Sequence, residues 1–151
     1  MIRIFTSLNW VIGTLAIIAA VLFPALHEKV YLGPLKYTLE TNVKKIAIFE
    51  AAKYQTRERY IYFSSEPRKF ESAMKSLEVD IEAGEFDIQA FPSENAALVI
   101  RAITSLDTMK AGWSPPMMYE YKINRPGETG AGKWTTFSNA TPGLPGLGSI
   151  F

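Results

Sequence analysis

From Ile4 to Leu26 the chain carries no charged residue. No other feature restricts the fold so strongly. At about 1.5 Å per residue, a helix of roughly 20 apolar residues crosses the hydrocarbon core of a bilayer. Arg3 stands at one edge of the run and His27-Glu28-Lys29 at the other. A cleaved signal peptide would have a shorter apolar core followed by small residues at a cleavage site. Ala20 and its neighbours offer such residues, but the run continues through Val21-Leu22-Phe23. A buried helix of a soluble protein would normally alternate apolar and polar faces, and this one does not. The run therefore predicts a single transmembrane helix over residues 1–28, with the lipid bilayer as its first partner.

Within the span, Ala16 and Ala20 have the small-xxx-small spacing that lets a second helix approach closely, and Gly13 extends the stripe. Asn9 is polar, and a polar residue in a span usually faces protein rather than lipid. Asn9, Gly13, Ala16 and Ala20 are the candidates for packing against another membrane subunit. On the far flank stand Lys29, Lys36, Lys44 and Lys45. Counted literally, these lysines mildly favour the C-terminal region on the cytoplasmic side, although the rule weakens where the flank belongs to a folded domain.

Gly33-Pro34 predicts a break after the membrane, with residues 29–34 as a linker and residues 35–140 as a globular domain. Val43, Ile46, Phe49 and Lys53 or Tyr54 recur at helical spacing, which predicts a helix from Leu35 to about Phe63. Ser64-Ser65-Glu66-Pro67 stops it, with Ser65 as the cap of a second helix running to about Leu77. The period then becomes two. Val79 and Ile81 alternate with Asp80 and Glu82, and Phe86, Ile88 and Ala90 with Asp87 and Gln89. After the Pro92-Ser93-Glu94-Asn95 turn come Leu98, Ile100 and Ala102, and later the run from Met117 to Ile123. Lys133 to Phe137 reads as a last short strand. Helices first and an antiparallel meander afterwards predict an α+β domain, its helices packed on the sheet. The tail over residues 141–151 is apolar and punctuated by Gly and Pro. Together with the aromatic residues that precede it, it nominates Trp113, Trp134, Leu144, Leu147 and Phe151 as an interaction surface.

Composition removes several function classes. With 16 basic and 15 acidic residues the net charge is +1, without the basic stripe of a nucleic-acid partner. There is no cysteine and one histidine, His27, so neither a Ser-His-Asp nor a Cys-His arrangement is marked. His27 reads as a boundary residue at the membrane edge. Asp80, Glu82, Glu85 and Asp87 are the densest carboxylates, but they sit at alternate positions of expected strands, where a solvent face would put them. Gly127-Glu128-Thr129-Gly130-Ala131-Gly132-Lys133 follows the start of a phosphate-binding loop. That loop next needs a hydroxyl residue and a helix. Trp134 takes the hydroxyl position and a strand pattern follows, so the expectation is a Gly-rich hairpin loop. No catalytic residue, cofactor, metal or small-molecule substrate is predicted.

The layout resembles type IV pilins and pseudopilins. Phe5-Thr6 opens an apolar run that ends Phe23-Pro24-Ala25-Leu26, as the mature pilin helix begins with Phe-Thr and has a Pro-Ala pair. Ala51-Ala52-Lys53-Tyr54 and Tyr60-Ile61-Tyr62 resemble the end of the pilin helix, and Lys133-Trp134-Thr135 a segment near many pilin C-termini. The likeness is degenerate. Ile4 replaces the Gly at which precursors are cut, Asn9 replaces the helix glutamate, and the Cys pair is missing. The resemblance implies a pilin-like fold and a domain outside the cytoplasm, on the periplasmic side of the inner membrane, against the lysine count. The departures imply loss of polymerisation. The functional expectation is a non-enzymatic accessory subunit that stabilises a larger bacterial membrane complex, for which a respiratory or photosynthetic assembly is a fitting host. The alternative is a subunit of a type IV pilus or a type II secretion pseudopilus. An enzyme or nucleotide-binding protein would rest on the altered phosphate loop alone.

Overall fold

The computed structural model describes residues 2–112 and 114–136, with side chains from Trp10 onward. The chain divides into two units, Met1–Thr38 and Leu39–Phe151.

The first unit is helical. Helix α1 (Ile2–His27) is apolar all round and contains Pro24. Its large side chains lie exposed, among them Trp10, Leu15, Ile17, Val21 and Phe23. Among the described residues of α1 no apolar side chain is buried, and the helix is long and apolar enough to cross a membrane. Thr14 satisfies its hydroxyl locally by donating to the Trp10 carbonyl at 2.8 Å. Phe23, His27 and Tyr31 stack in series, with ring centroids 6.0 and 5.1 Å apart.

The expected break at Gly33-Pro34 does not occur. A single π-helical turn, Glu28–Leu32, leads from α1 into helix α2 (Gly33–Arg57). Pro34 has no N–H, and its ring crowds the carbonyl four residues back, so a regular α-turn cannot form there. Widening the turn solves both problems: the Gly33 amide donates to the Glu28 carbonyl, five residues back. A side chain at Gly33 would sit 3.3 Å from that carbonyl. Proline thus produces a π-turn where the sequence suggests a linker.

The second unit is the α+β domain. Leu39, Val43, Ile46, Ala47 and Glu50 form the buried stripe of α2. The helix ends at Arg57, six residues before the expected Phe63, and Glu58 follows in the left-handed region at φ 54°. Helix α3 (Pro67–Leu77) buries Phe70, Ala73, Met74 and Leu77. Glu66 rather than Ser65 occupies its N-cap, with no side-chain cap, and Glu78 closes it at φ 61°. Lys53 of α2 pairs with Glu78 at 2.7 Å.

A four-stranded antiparallel sheet follows in chain order: β1 (Phe86–Ser93), β2 (Ala96–Thr104), β3 (Met117–Ile123) and β4 (Ala131–Thr136). Its core face aligns Ile88, Ala102, Tyr119 and Trp134 across the strands, and beside them Ala90, Ile100, Tyr121 and Gly132. The core-facing residues of β1 and β2 (Phe86, Ile88, Ala90, Leu98, Ile100, Ala102) are buried, as the alternation predicts. Phe63 bridges to Ala90 and meets Phe70 edge-on, which ties α3 to the sheet margin. Two elements differ from the sequence reading. Val79 and Ile81 alternate inward but form no strand, and a short helix α4 (Leu106–Lys110) stands where the sequence predicts none. Ser105 caps α4 by accepting from the Thr108 amide. Buried Thr104 ties the two ends of the β2–β3 connection by accepting from the Met117 amide at 3.0 Å.

Candidate functional site

Helix α2 faces the rest of the domain in three ways along its length. Near its start, Glu40 accepts the indole N–H of Trp134 on β4 at 2.5 Å, and Trp134 packs on Tyr119 with centroids 4.9 Å apart. Farther along, Ala47, Ala51 and Ala52 keep the helix surface low. Finally Glu50, the last residue of the helix's buried stripe, accepts the Ile61 amide at 2.9 Å and so fixes the chain as it returns from α2.

Because alanines face the β3–β4 loop, helix and loop do not meet fully. A groove of about 350 Å³ opens between them. Ala47, Ile48, Ala51 and Ala52 form its helical wall, and Tyr121 with the loop from Gly127 to Gly130 forms the other. Ile48 is 67% exposed at its rim. The groove is mainly apolar, with Gln55 of α2 and Glu128 and Thr129 of the loop as its polar side chains besides the Tyr121 hydroxyl.

The glycines of the phosphate-loop-like run have structural explanations instead. Gly127 turns the loop at φ 85°. A Cβ on Gly130 would lie 2.6 Å from the Lys122 carbonyl and against the Tyr121 ring, and one on Gly132 would collide with Tyr119. These glycines leave room for tyrosine rings lying over the sheet. Ala131 through Thr136 is strand β4, with no helix behind the loop to aim amides at a phosphate.

The other residues singled out in the sequence are distributed as follows. Gly13, Ala16 and Ala20 share α1 and its exposed surface, with nothing within 4 Å of a Cβ on Gly13. Trp134 is half-buried and donates its indole N–H to Glu40. The side chain of Asn9, and Trp113, Leu144, Leu147 and Phe151 with the whole 141–151 tail, lie outside the described residues. Asp80, Glu82 and Asp87 are exposed, and no cluster of three or more metal-ligating side chains occurs among the described residues.

Glu50 escaped the sequence reading. It is fully buried, and its Oε1 has no hydrogen-bond partner among the described residues. Burial pushes its carboxyl up to about 7, against the pull of the Ile61 amide and the Arg57 charge. The available signal was its spacing, four residues after Ile46 and seven after Val43, which places a carboxylate on the apolar stripe. By contrast, Glu120 is half-buried and has partners. Burial pushes its carboxyl up, but hydrogen bonds from Lys122 and Arg101 and their charges outweigh that and hold it below the usual range. Comparison with family models, curated proteins and solved structures finds no match to this chain.

Proposed function

We propose that this chain is a non-enzymatic, single-pass accessory subunit that stabilises a larger bacterial membrane protein complex, a respiratory or photosynthetic assembly being the host class we favour. The observation that carries the reading is the pairing of an exposed apolar helix with a domain that carries an apolar groove. The helix gives the domain a fixed address at a bilayer. Its stripe of Gly13, Ala16 and Ala20 gives a neighbouring helix close approach, where dispersion and weak interhelical hydrogen bonds replace the hydrophobic effect. The groove between α2 and the β3–β4 loop receives a partner's apolar segment outside the membrane, on the periplasmic side. Burying a large apolar side chain there contributes about 1.5–3 kcal/mol. A few such contacts suffice when the bilayer already confines both partners.

The test is to solubilise native membranes gently, resolve complexes by size and identify what migrates with the chain. The wild-type protein is expected in one defined large complex. Ala52→Arg, which fills the groove without touching the buried stripe, should release the domain contact, and Ala16→Leu with Ala20→Leu should weaken the helix contact. Unchanged co-migration of both variants would remove this reading.

A second reading, a filament subunit of the pilus or secretion type, is favoured by the order of elements, an N-terminal apolar helix followed by an antiparallel sheet. It requires a chain beginning near Phe5 in sheared filaments. Ile4 and Asn9 argue against it, because they remove the processing glycine and the acidic partner for a free amine.

A further inference from the structure

The groove's loop and the unpartnered carboxyl oxygen of Glu50 are connected through one residue. Glu50 sits on the buried stripe of α2 and holds the Ile61 amide. One residue earlier, buried Tyr60 stacks on Tyr54 of α2, with centroids 4.6 Å apart. The phenol oxygen of Tyr60 faces the Gly127 amide of the β3–β4 loop without closing a hydrogen bond. Gly127 in turn lines the groove. Glu50, the 58–63 return and the groove loop thus form one packed assembly, and two of its buried oxygens, Glu50 Oε1 and Tyr60 Oη, lack hydrogen-bond partners among the described residues.

A carboxylate accepts several hydrogen bonds, and here one amide is supplied. The neutral acid tolerates such a site, whereas the anion must recruit water or move. We propose that Glu50 is a proton-operated fastener: uncharged, it lets the 58–63 return and the Gly127 loop close on α2, and charged, it admits water and loosens that wall of the groove. The groups acting on it are Arg57 from α2 and Tyr60 and Tyr62 from the return, and Tyr54 of α2 acts in turn on the two tyrosines. From the β3–β4 loop, Glu128 lines the groove and Gly127 presents only its backbone. Arg57 is the one cation among these groups; it is exposed and offsets burial only in part. The consequence is regulation: a partner docked in the groove is held more firmly on the acidic side of neutrality.

This inference rests on the docking reading for its consequence, while its mechanism is measurable on the chain alone. The full-length protein in detergent micelles is titrated with the Glu50 side-chain carboxyl carbon followed by NMR, and amide exchange is recorded at Ile61 and Gly127. The expected result is an inflection near neutrality. Above it, protection at both amides, corrected for intrinsic exchange, falls by up to about tenfold per pH unit. Glu50→Gln is expected to keep the Ile61 bond and make protection independent of pH. An inflection in the ordinary glutamate range, or unchanged protection across it, would overturn the fastener. Because the wild-type titration needs no variant, a misfolded Glu50→Gln protein would not rescue the idea. Co-migration with a host complex that survives Ala52→Arg would remove the docking reading but leave a positive titration standing, so the two failures are distinguishable.

Discussion

Glu50 and Trp134 show how single residues set the balance of the domain. For Glu50 the folded carboxyl titrates at about 7, above its ordinary 4.5. The folded state therefore binds more protons between those values. Its favourable contribution is fully present below about pH 4.5 and is lost as pH rises through 7. Each pH unit separating the folded and unfolded titrations is worth about 1.4 kcal/mol, so the loss approaches roughly 3 kcal/mol. Glu50→Gln should therefore unfold at higher denaturant concentration than wild type at about pH 8, and the two should converge near pH 4.5. A variant less stable than wild type on the alkaline side would contradict this. Trp134 presents the opposite case, a polar contact whose loss weakens the fold. Trp134→Phe keeps the ring on Tyr119 but removes the N–H that Glu40 accepts, and should cost about 1–2 kcal/mol in chemical denaturation. Neither role is legible in the sequence. Glu50 lies on the right helical stripe, but charge argues for an exposed position until the helix's buried face is fixed by packing. Trp134 falls on a strand as its pattern predicts, yet its partner is 94 residues away, a separation that no local pattern encodes.

At the scale of elements, period and punctuation are legible to different degrees. The strands with strict alternation can be read directly, and Met117–Ile123 occurs with the expected bounds. Their pattern is local because one face is buried against α2 and the other carries pairs such as Arg101–Glu120 at 2.8 Å. Val79 and Ile81 alternate equally well but form no strand, because inward alternation in an extended chain needs no neighbouring strand. Gly and Pro are the least legible. Gly33-Pro34 reads as a break but yields a π-turn, and the Gly127–Lys133 run follows the start of a phosphate loop but serves tyrosine packing. The second point is testable. Gly130→Ala would press on the Lys122 carbonyl, a backbone atom of β3, so the strand itself must shift. We expect a loss of about 1–3 kcal/mol, with cross-strand NMR contacts between β3 and β4 weakened. Gly127→Ala should cost about 1 kcal/mol through its positive φ alone, with those contacts intact. Equal effects on pairing at both positions would contradict the assignment of separate roles.

The whole molecule follows from a division of labour that its composition conceals. A net charge of +1 and ordinary apolar content describe neither unit, because the apolar excess is concentrated in α1 while the domain carries nearly all the charge. The domain buries most of its large apolar side chains between helices and sheet. Among the described residues helix α1 buries none of its own, exposing Trp10, Leu15, Ile17, Val21 and Phe23. At about 25 cal/mol per Å² of apolar surface, a helix left in water with such a surface would aggregate, and a bilayer removes that penalty along its entire length. The full chain should consequently remain with the membrane pellet after extraction at alkaline pH, which strips proteins held only by charge or by a docked partner. Replacing Ile17 by Lys puts a cation near the middle of the span, at about 2.5–3.5 kcal/mol on insertion scales, and should lower the pelleted fraction. A wild-type chain released into the supernatant would show that α1 lies against protein instead of crossing lipid. The exposed stripe of Gly13, Ala16 and Ala20 would then have to be reassigned from a helix neighbour in the membrane to a partner outside it.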